Sequence, residues 1–214
     1  GARQWGTYLG GDGTDTGAGG AVTVGGVAFV GTTDSPGQAT PDAHQAVPGG
    51  GDDALVVQLD SDGARTWATY YGGAGDDQGA AISVNPAGSL LLTGTTTSSD
   101  GIASAAALQP DPLGGRDVFV AKLDPNGGRR WGSYFGGQAD DIVGPGALAT
   151  VGADVTYVAG HTASSVGVAT AGALFQPSFK GVTDLFLARL SHGQGDTCSV
   201  DAECDAGFCV DGVC

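Results

Sequence analysis

Four cysteines, Cys198, Cys204, Cys209 and Cys214, lie within 17 residues and are the only cysteines in the chain. An even set in a short segment with few apolar residues reads as two disulfides, which would supply the order that no core can supply there. Three pairings remain open. A zinc site is the competing reading, but the C-x5-C-x4-C-x4-C spacing lacks the paired C-x2-C knuckles of structural zinc sites. Disulfides imply an oxidising, extracellular or cell-surface location.

The second chemical candidate is a recurring carboxylate. Asp15, Asp77 and Asp141 each follow a glycine pair, in GGDGTD, GGAGDD and GGQADD. The pattern is similar to the G-G-x-G-x-D calcium motif, which relies on tandem nine-residue repetition to share ions between successive turns. Here the copies are about 62 residues apart, so calcium is a weak reading. A carboxylate capping the amides of its own tight turn is the stronger one. No other cofactor is implied. His44, His161 and His192 occupy unrelated positions, and no nucleophile, base and orienting group recur together, so the expectation is a protein without a catalytic centre.

These aspartates belong to a larger repeat. Trp5, Trp67 and Trp131 are 62 and 64 residues apart; each is followed by a Tyr three residues on (Tyr8, Tyr70, Tyr134) and then by a glycine pair. Four matched columns at one interval point to stacked supersecondary units. Of the 23 acidic residues 22 are Asp, and Gly numbers 41 of 214 without a collagen period; both are turn chemistry and favour an all-β chain. The net charge of −15 with eight scattered basic residues argues against nucleic acid and anionic membranes. No apolar run approaches the roughly 20 residues of a transmembrane helix, so no membrane insertion is expected. The absence of Met and of a signal peptide, with Gly1 already inside the repeat register, reads as a processed product or a fragment.

Each repeat divides into four short strands. In the middle repeat these are Gly79 to Asn85, Ser89 to Thr96, Asp117 to Asp124 and Arg129 to Gly136, joined in hairpins by Asn85-Pro86-Ala87-Gly88 and Asp124-Pro125-Asn126-Gly127. The first repeat offers Gly19 to Val24, Val27 to Thr33 and Asp53 to Asp60; the third offers Gly146 to Val151, Asp154 to Thr162 and Asp184 to Ser191. In every third strand both alternating faces are apolar: Leu55, Val57, Leu59 against Ala54, Val56, and likewise at 118–123 and 185–190. A small antiparallel sheet buried on both sides must sit between two others, as a propeller blade does. The inner strand opens with the smallest residues (Gly19-Gly20-Ala21, Gly79-Ala80-Ala81, Gly146-Ala147), and the Trp strand lies outermost, filling the widening gap between blades. The expected fold is therefore all-β, with three four-stranded antiparallel blades of about 62 residues.

The order W-x-x-Y-x-G-G, D, V-x-x-x-G-x-x-x-x-x-G, an L-Q-P or F-Q-P loop core and D-x-F-x-A-[KR]-L resembles the bacterial β-propeller repeats often called SBBP. The likeness is clearest in Thr170 to Leu190 and covers Gln4 to Ser191. It implies a secreted or surface-displayed propeller with no general enzymatic activity. The cysteine-rich segment is similar to the small tails of myxobacterial-type surface proteins.

The domain reading is thus 1–192 for three repeats, 193–197 for a linker and 198–214 for the tail. The long loops Asp34 to Asp52, Thr97 to Arg116 and Ala163 to Thr183 are expected on one rim, where they would meet a protein or glycan ligand. Each carries a helical-turn candidate around His44, Leu108 or Phe175, with the Leu and Phe plugging the gap between blades. The first repeat begins with an outer strand, Gln4 to Gly10, and the last lacks its own. Self-association through these edge strands, by exchange of the N-terminal strand, follows as an expectation. Two functions compete: a non-enzymatic extracellular scaffold or adhesion module, and a calcium- or carbohydrate-dependent propeller with enzyme-like activity.

Overall fold

Three turns of one construction set the hairpins. Gly63, Gly88 and Gly127 adopt φ of 84°, 86° and 87°, a conformation that costs a residue with a Cβ but not glycine. Each glycine amide donates back three residues, to Asp60, Asn85 and Asp124 O. The side chains of those residues accept the amides two and four residues on, at 2.8–3.1 Å. Turn residues with an oxygen side chain at the start and Gly at the end are therefore what closes these hairpins.

The computed structural model describes residues 1–152, 155–173 and 175–191. Among them there is no helix, and twelve strands form three antiparallel sheets. Sheet A contains β1 (Asp15–Thr23), β2 (Gly26–Thr33), β3 (Asp53–Asp60) and β4 (Arg65–Tyr71) in chain order. Sheet B repeats this with β5 (Asp77–Val84), β6 (Leu90–Thr96), β7 (Asp117–Leu123) and β8 (Arg129–Phe135). In sheet C the first strand is split into β9 (Asp141–Ile142) and β10 (Leu148–Val151), both paired to β11 (Val155–Thr162), which is followed by β12 (Asp184–Ser191). The inner strands of sheets A and B begin at Asp15 and Asp77, earlier than the small-residue runs suggested, with a register shift after Gly17 and Gly79.

The three sheets pack against one another in chain order, through faces of alternate residues. Ala54, Val56 and Tyr71 of sheet A share one core with Leu92, Phe119, Ala121 and Leu123 of sheet B. Val118, Val120 and Trp131 on the opposite face of sheet B share a second core with Val158, Phe186 and Leu190 of sheet C. Burial on both faces holds along β7, and along β3 up to its last residue. It fails in sheet C: β12 buries only Phe186 and Leu190, and Leu185 and Leu187 are 89% and 73% exposed because nothing among the described residues packs on that face.

Close approach of sheets A and B explains the small inner residues. A Cβ on Gly79 would sit 2.5 Å from Gly31 O and 2.6 Å from Val30 Cγ2, across the junction. The outer end of the same junction is filled by Trp67, whose indole Nε1 donates to Pro125 O at 3.0 Å while its ring lies on Gly127.

Two expectations are corrected in the loops. The helical-turn candidates are single turns without helix, closed by Ala43 N to Thr40 O and Ala107 N to Ser104 O, both 3.1 Å. Leu108 and Phe175 are not buried between sheets; they are 58% and 99% exposed, and in sheet B the buried apolar residue of the long loop is Ile102. The segment Gln4 to Gly10 is not in a strand; it lies along sheet A, with Trp5 Nε1 donating to Ser61 O at 3.0 Å.

Candidate functional site

Asp15, Asp77 and Asp141 are the first residues of the inner strands, and the fold gives all three the same partners. Oδ2 of each accepts an amide four residues back, from Gly11, Gly73 or Gly137, at 2.6–2.9 Å. Each also accepts the hydroxyl of Ser35, Ser98 or Ser164, at 2.7–3.1 Å. The serine oxygen in turn accepts an amide of the glycine loop, Gly13, Gly75 or Ala139, at 2.8–2.9 Å. The serine is fixed by its own amide donating to Thr33, Thr96 or Thr162 Oγ1. Aspartate, serine and threonine thus knot the glycine-rich loop to the end of the second strand. A serine whose hydroxyl donates to a carboxylate while its oxygen accepts a loop amide acts as a cap of that loop.

Sequence reasoning did not single out the serines and threonines, although the signal is present as T-x-S after each second strand: Thr33-Asp34-Ser35, Thr96-Thr97-Ser98, Thr162-Ala163-Ser164. It also passed over a second aspartate series, Asp53, Asp117 and Asp184, at the start of the third strands. These cap the long loops: Asp53 Oδ2 accepts from Gly49 N, Asp117 Oδ2 from Leu113 N and Asp184 Oδ2 from Lys180 N, at 2.5–2.8 Å. A glutamine in each long loop ties in as well, followed by Pro in the second and third repeats only. Gln45 and Gln109 accept the amides of Gly72 and Gly136, and Gln176 donates to Asp184.

The two series meet at the sheet junctions. The Asp77 amide donates to Asp52 O and the Asp141 amide to Arg116 O, which sets Asp53 beside Asp77 and Asp117 beside Asp141. A Cβ on Gly72 would fall 2.0 Å from Asp53 Oδ1 and 2.7 Å from Asp77 Oδ2; Gly136 stands in the same relation to Asp117 and Asp141. All four carboxylates are at most 1% exposed, and among the described residues the Oδ1 atom of each lacks a hydrogen-bond partner. Burial pushes the Asp53 carboxyl up to about 6, the Gly49 amide opposing and the Asp77 charge adding to it. Burial likewise raises Asp77 and Asp117. Asp15, outside any such pair and only half-buried, is lowered instead, chiefly by the Thr33 hydroxyl.

Asp15, Asp77 and Asp141 therefore stand in three different sheets. Among the described residues no three His, Cys, Asp or Glu side chains converge on a metal-sized site. His44 and His161 are exposed and far apart in the fold, one in a loop and one on β11. His192 and the four cysteines lie outside the described residues. A concavity of about 400 Å³ opens where the inner strands of the three sheets approach one another, lined by Thr14, Thr16, Thr32, Gln78, Thr95 and the backbone around Gly144. Its lining mixes the threonine hydroxyls, the Gln78 amide and the Asp52 carboxylate with apolar Ala18, Ala80, Val143 and Pro145, so it offers hydrogen-bonding groups on a partly apolar wall.

Comparison with protein-family models and with curated proteins gives no match for this chain.

Proposed function

We propose that the chain is a non-enzymatic β-propeller scaffold of the SBBP repeat type, working outside the cell or at its surface. The observation that carries this reading is the junction itself. Successive four-stranded sheets pack face to face, with glycine at the closest approach of sheets A and B and a Trp of the fourth strand packed at each junction. The recurring polar residues are spent on capping loops, so the conserved chemistry within the repeat is architectural. What varies between repeats is the long loops, and these, with the threonine-lined concavity, are where a protein or glycan partner would dock. The cysteine tail as a pair of disulfides fits the same location.

Imaging of the purified protein tests the architecture. Class averages with radial blades about an axis support it; a two-layer sandwich overturns it. A glycan and peptide array then tests the role. Binding without turnover is expected, whereas hydrolysis or transfer abolished by Asp77→Ala would establish the enzyme-like reading in its place.

A further inference from the structure

The concavity between the inner strands of the three sheets has fixed polar groups on two sides and an apolar wall on the third. We propose that it binds a short neutral saccharide, held through its hydroxyls by Asp52, Gln78 and the threonines of the second strands, with one face of the ring resting on sheet C. The seat so assigned rests on the scaffold reading above and gives its glycan partner a place.

Sheets A and B each place one cross-strand pair at the concavity. Thr16 lies opposite Thr32 and Gln78 opposite Thr95, at the same station, next to the capping aspartates Asp15 and Asp77. Thr32 Oγ1 accepts the Gly79 amide at 3.1 Å and Thr95 Oγ1 accepts the Val143 amide at 3.3 Å, so the inner strand of the following sheet holds each hydroxyl in place. Neither hydroxyl proton has an acceptor among the described residues, and Thr95 is only 7% exposed. A buried hydroxyl with its proton uncommitted wants an acceptor, and the amide it already accepts polarises it to donate more strongly. Asp52 supplies the complement. Its amide donates to Asp76 Oδ1 at 3.2 Å and its carbonyl accepts the Asp77 amide at 2.5 Å, while its carboxylate has no partner among the described residues. Sheet C contributes the apolar wall. Its first strand breaks between Ile142 and Leu148, and the intervening Val143 and Pro145 line the concavity.

These groups discriminate between ligand classes. An anion is opposed by the Asp52 carboxylate and by the net charge of −15, and among the described residues no Lys or Arg lines the walls. A bare cation needs several converging oxygen ligands, and no three acidic, His or Cys side chains converge among the described residues. An ammonium group would satisfy Asp52 but only donates, which leaves the two threonine protons without an acceptor. An apolar ligand would strand Asp52 and the Thr95 hydroxyl away from water. A peptide adding as a strand needs a regular edge, and the edges of β1 and β5 are interrupted where the register shifts at Ala18 and Ala80. A sugar ring answers every feature. Its hydroxyls both donate and accept, so they pair with the carboxylate and with the threonine protons, while its C–H face lies on Val143 and Pro145. The volume of about 400 Å³ is toward the small end of ligand sites, which fits a short saccharide or the end of a longer one.

Isothermal titration of the full chain with neutral mono-, di- and trisaccharides tests the seat, with sialylated and sulfated saccharides as anionic counterparts. Saturable binding of a neutral member at millimolar concentration is expected. No binding by any neutral member, or tighter binding of the anionic ones, would overturn the assignment. Asp52→Ala and Gln78→Ala remove side chains that are half-buried and exposed, so both variants should melt as wild type does. Asp52→Ala should weaken binding about tenfold or more and Gln78→Ala about threefold to tenfold, the scales of a hydrogen bond to a charged and to a neutral group. Leu108→Ser, on an exposed rim loop, should leave the affinity unchanged. A saccharide lost with Leu108→Ser and indifferent to both other substitutions sits on the rim, which refutes the seat and leaves the scaffold reading standing. A saccharide that depends on Asp52 and Gln78 but is hydrolysed supports the seat and overturns the non-enzymatic reading, so the two failures are distinguishable.

Discussion

Asp53 and Asp77 come from different sheets and meet at a junction with one oxygen of each having no hydrogen-bond donor among the described residues. Two buried carboxylates side by side cannot both ionise cheaply, and a proton held between them removes a charge while satisfying an orphaned oxygen. The folded state keeps a proton on Asp53 up to about pH 6, while an unfolded aspartate releases it near 3.8. Between those values the folded state binds more protons than the unfolded one. Stability therefore falls as pH rises through this window and levels above it. At ~1.4 kcal/mol per pKa unit the Asp53 contribution is about 3 kcal/mol. Urea titrations from pH 4 to 7.5 should show the midpoint declining; a midpoint that rises steadily to neutrality would refute the shared proton.

Asp53→Asn follows from the same pair. An amide at this position accepts the Gly49 hydrogen bond through its oxygen and offers its NH2 to Asp77, with no charge to repel. The variant should be more stable than wild type at pH 7.5 by about 1–2 kcal/mol, on the scale of one buried hydrogen bond to a charged group. Its stability should change less between pH 4 and 6. Equal or lower stability than wild type at pH 7.5, with the wild-type slope retained, would show that Asp53 is not the titrating group.

The glycine wedged at this pair gives a steric counterpart. A Cβ at Gly72 would overlap Asp53 Oδ1, whose carboxyl is fully buried and fixed through Oδ2 by the Gly49 amide. Gly72→Ala should cost about 1–3 kcal/mol, as overpacking in close-fitted interiors does. Gly144→Ala is the control, since nothing lies within 4 Å of its Cβ position and its φ is not positive. Thermal melts of the two variants should separate clearly; equal melting temperatures would mean the junction yields freely.

How much of this could be read from residues alone follows the physics of each feature. Strand alternation and Asn or Asp with Gly at turns are local signals, and the sheets of β3 and β7, with burial on both faces, are where they pointed. The capping role of Asp77 was legible because aspartate after a glycine pair has one common use. Its pairing with Asp53 was not, because it joins residues of different sheets, and only the sheet-to-sheet amide bond from Asp77 to Asp52 sets their register. Leu108 misled for a related reason: an apolar residue in a loop core suggests burial, but Ile102, six residues earlier, turns inward and takes the space. β12 shares its alternation with β3 and β7, and no pattern within a strand reveals whether a neighbouring sheet exists.

The cysteine-rich segment yields a chemical test of its own. If the four cysteines form the two disulfides proposed for this segment, the protein unfolded without reductant should show no free thiol, and about four after reduction. Four reactive thiols in the native protein would refute both the disulfides and the extracellular location.

Trp131 and Trp67 share a repeat position but not an environment, and the difference sets a graded expectation. Trp131 is 2% exposed, packed with Val118, Val120 and Phe186 in the core between sheets B and C, and its indole Nε1 donates to Ala106 O at 3.1 Å. Trp67 is half-buried, lying on the Gly127 turn with its indole bonded to Pro125 O. Removing a fully buried indole leaves a cavity that the flanking β-sheets, pinned by their ladders, cannot collapse to fill. Trp131→Ala should therefore cost roughly 3–5 kcal/mol. Trp67→Ala exposes a surface already half wet and should cost about half as much, in proportion to the apolar area lost. Denaturant titrations of the two variants decide the matter: a loss below about 1 kcal/mol at Trp131, or a larger loss at Trp67 than at Trp131, would show that the second junction is not packed as described.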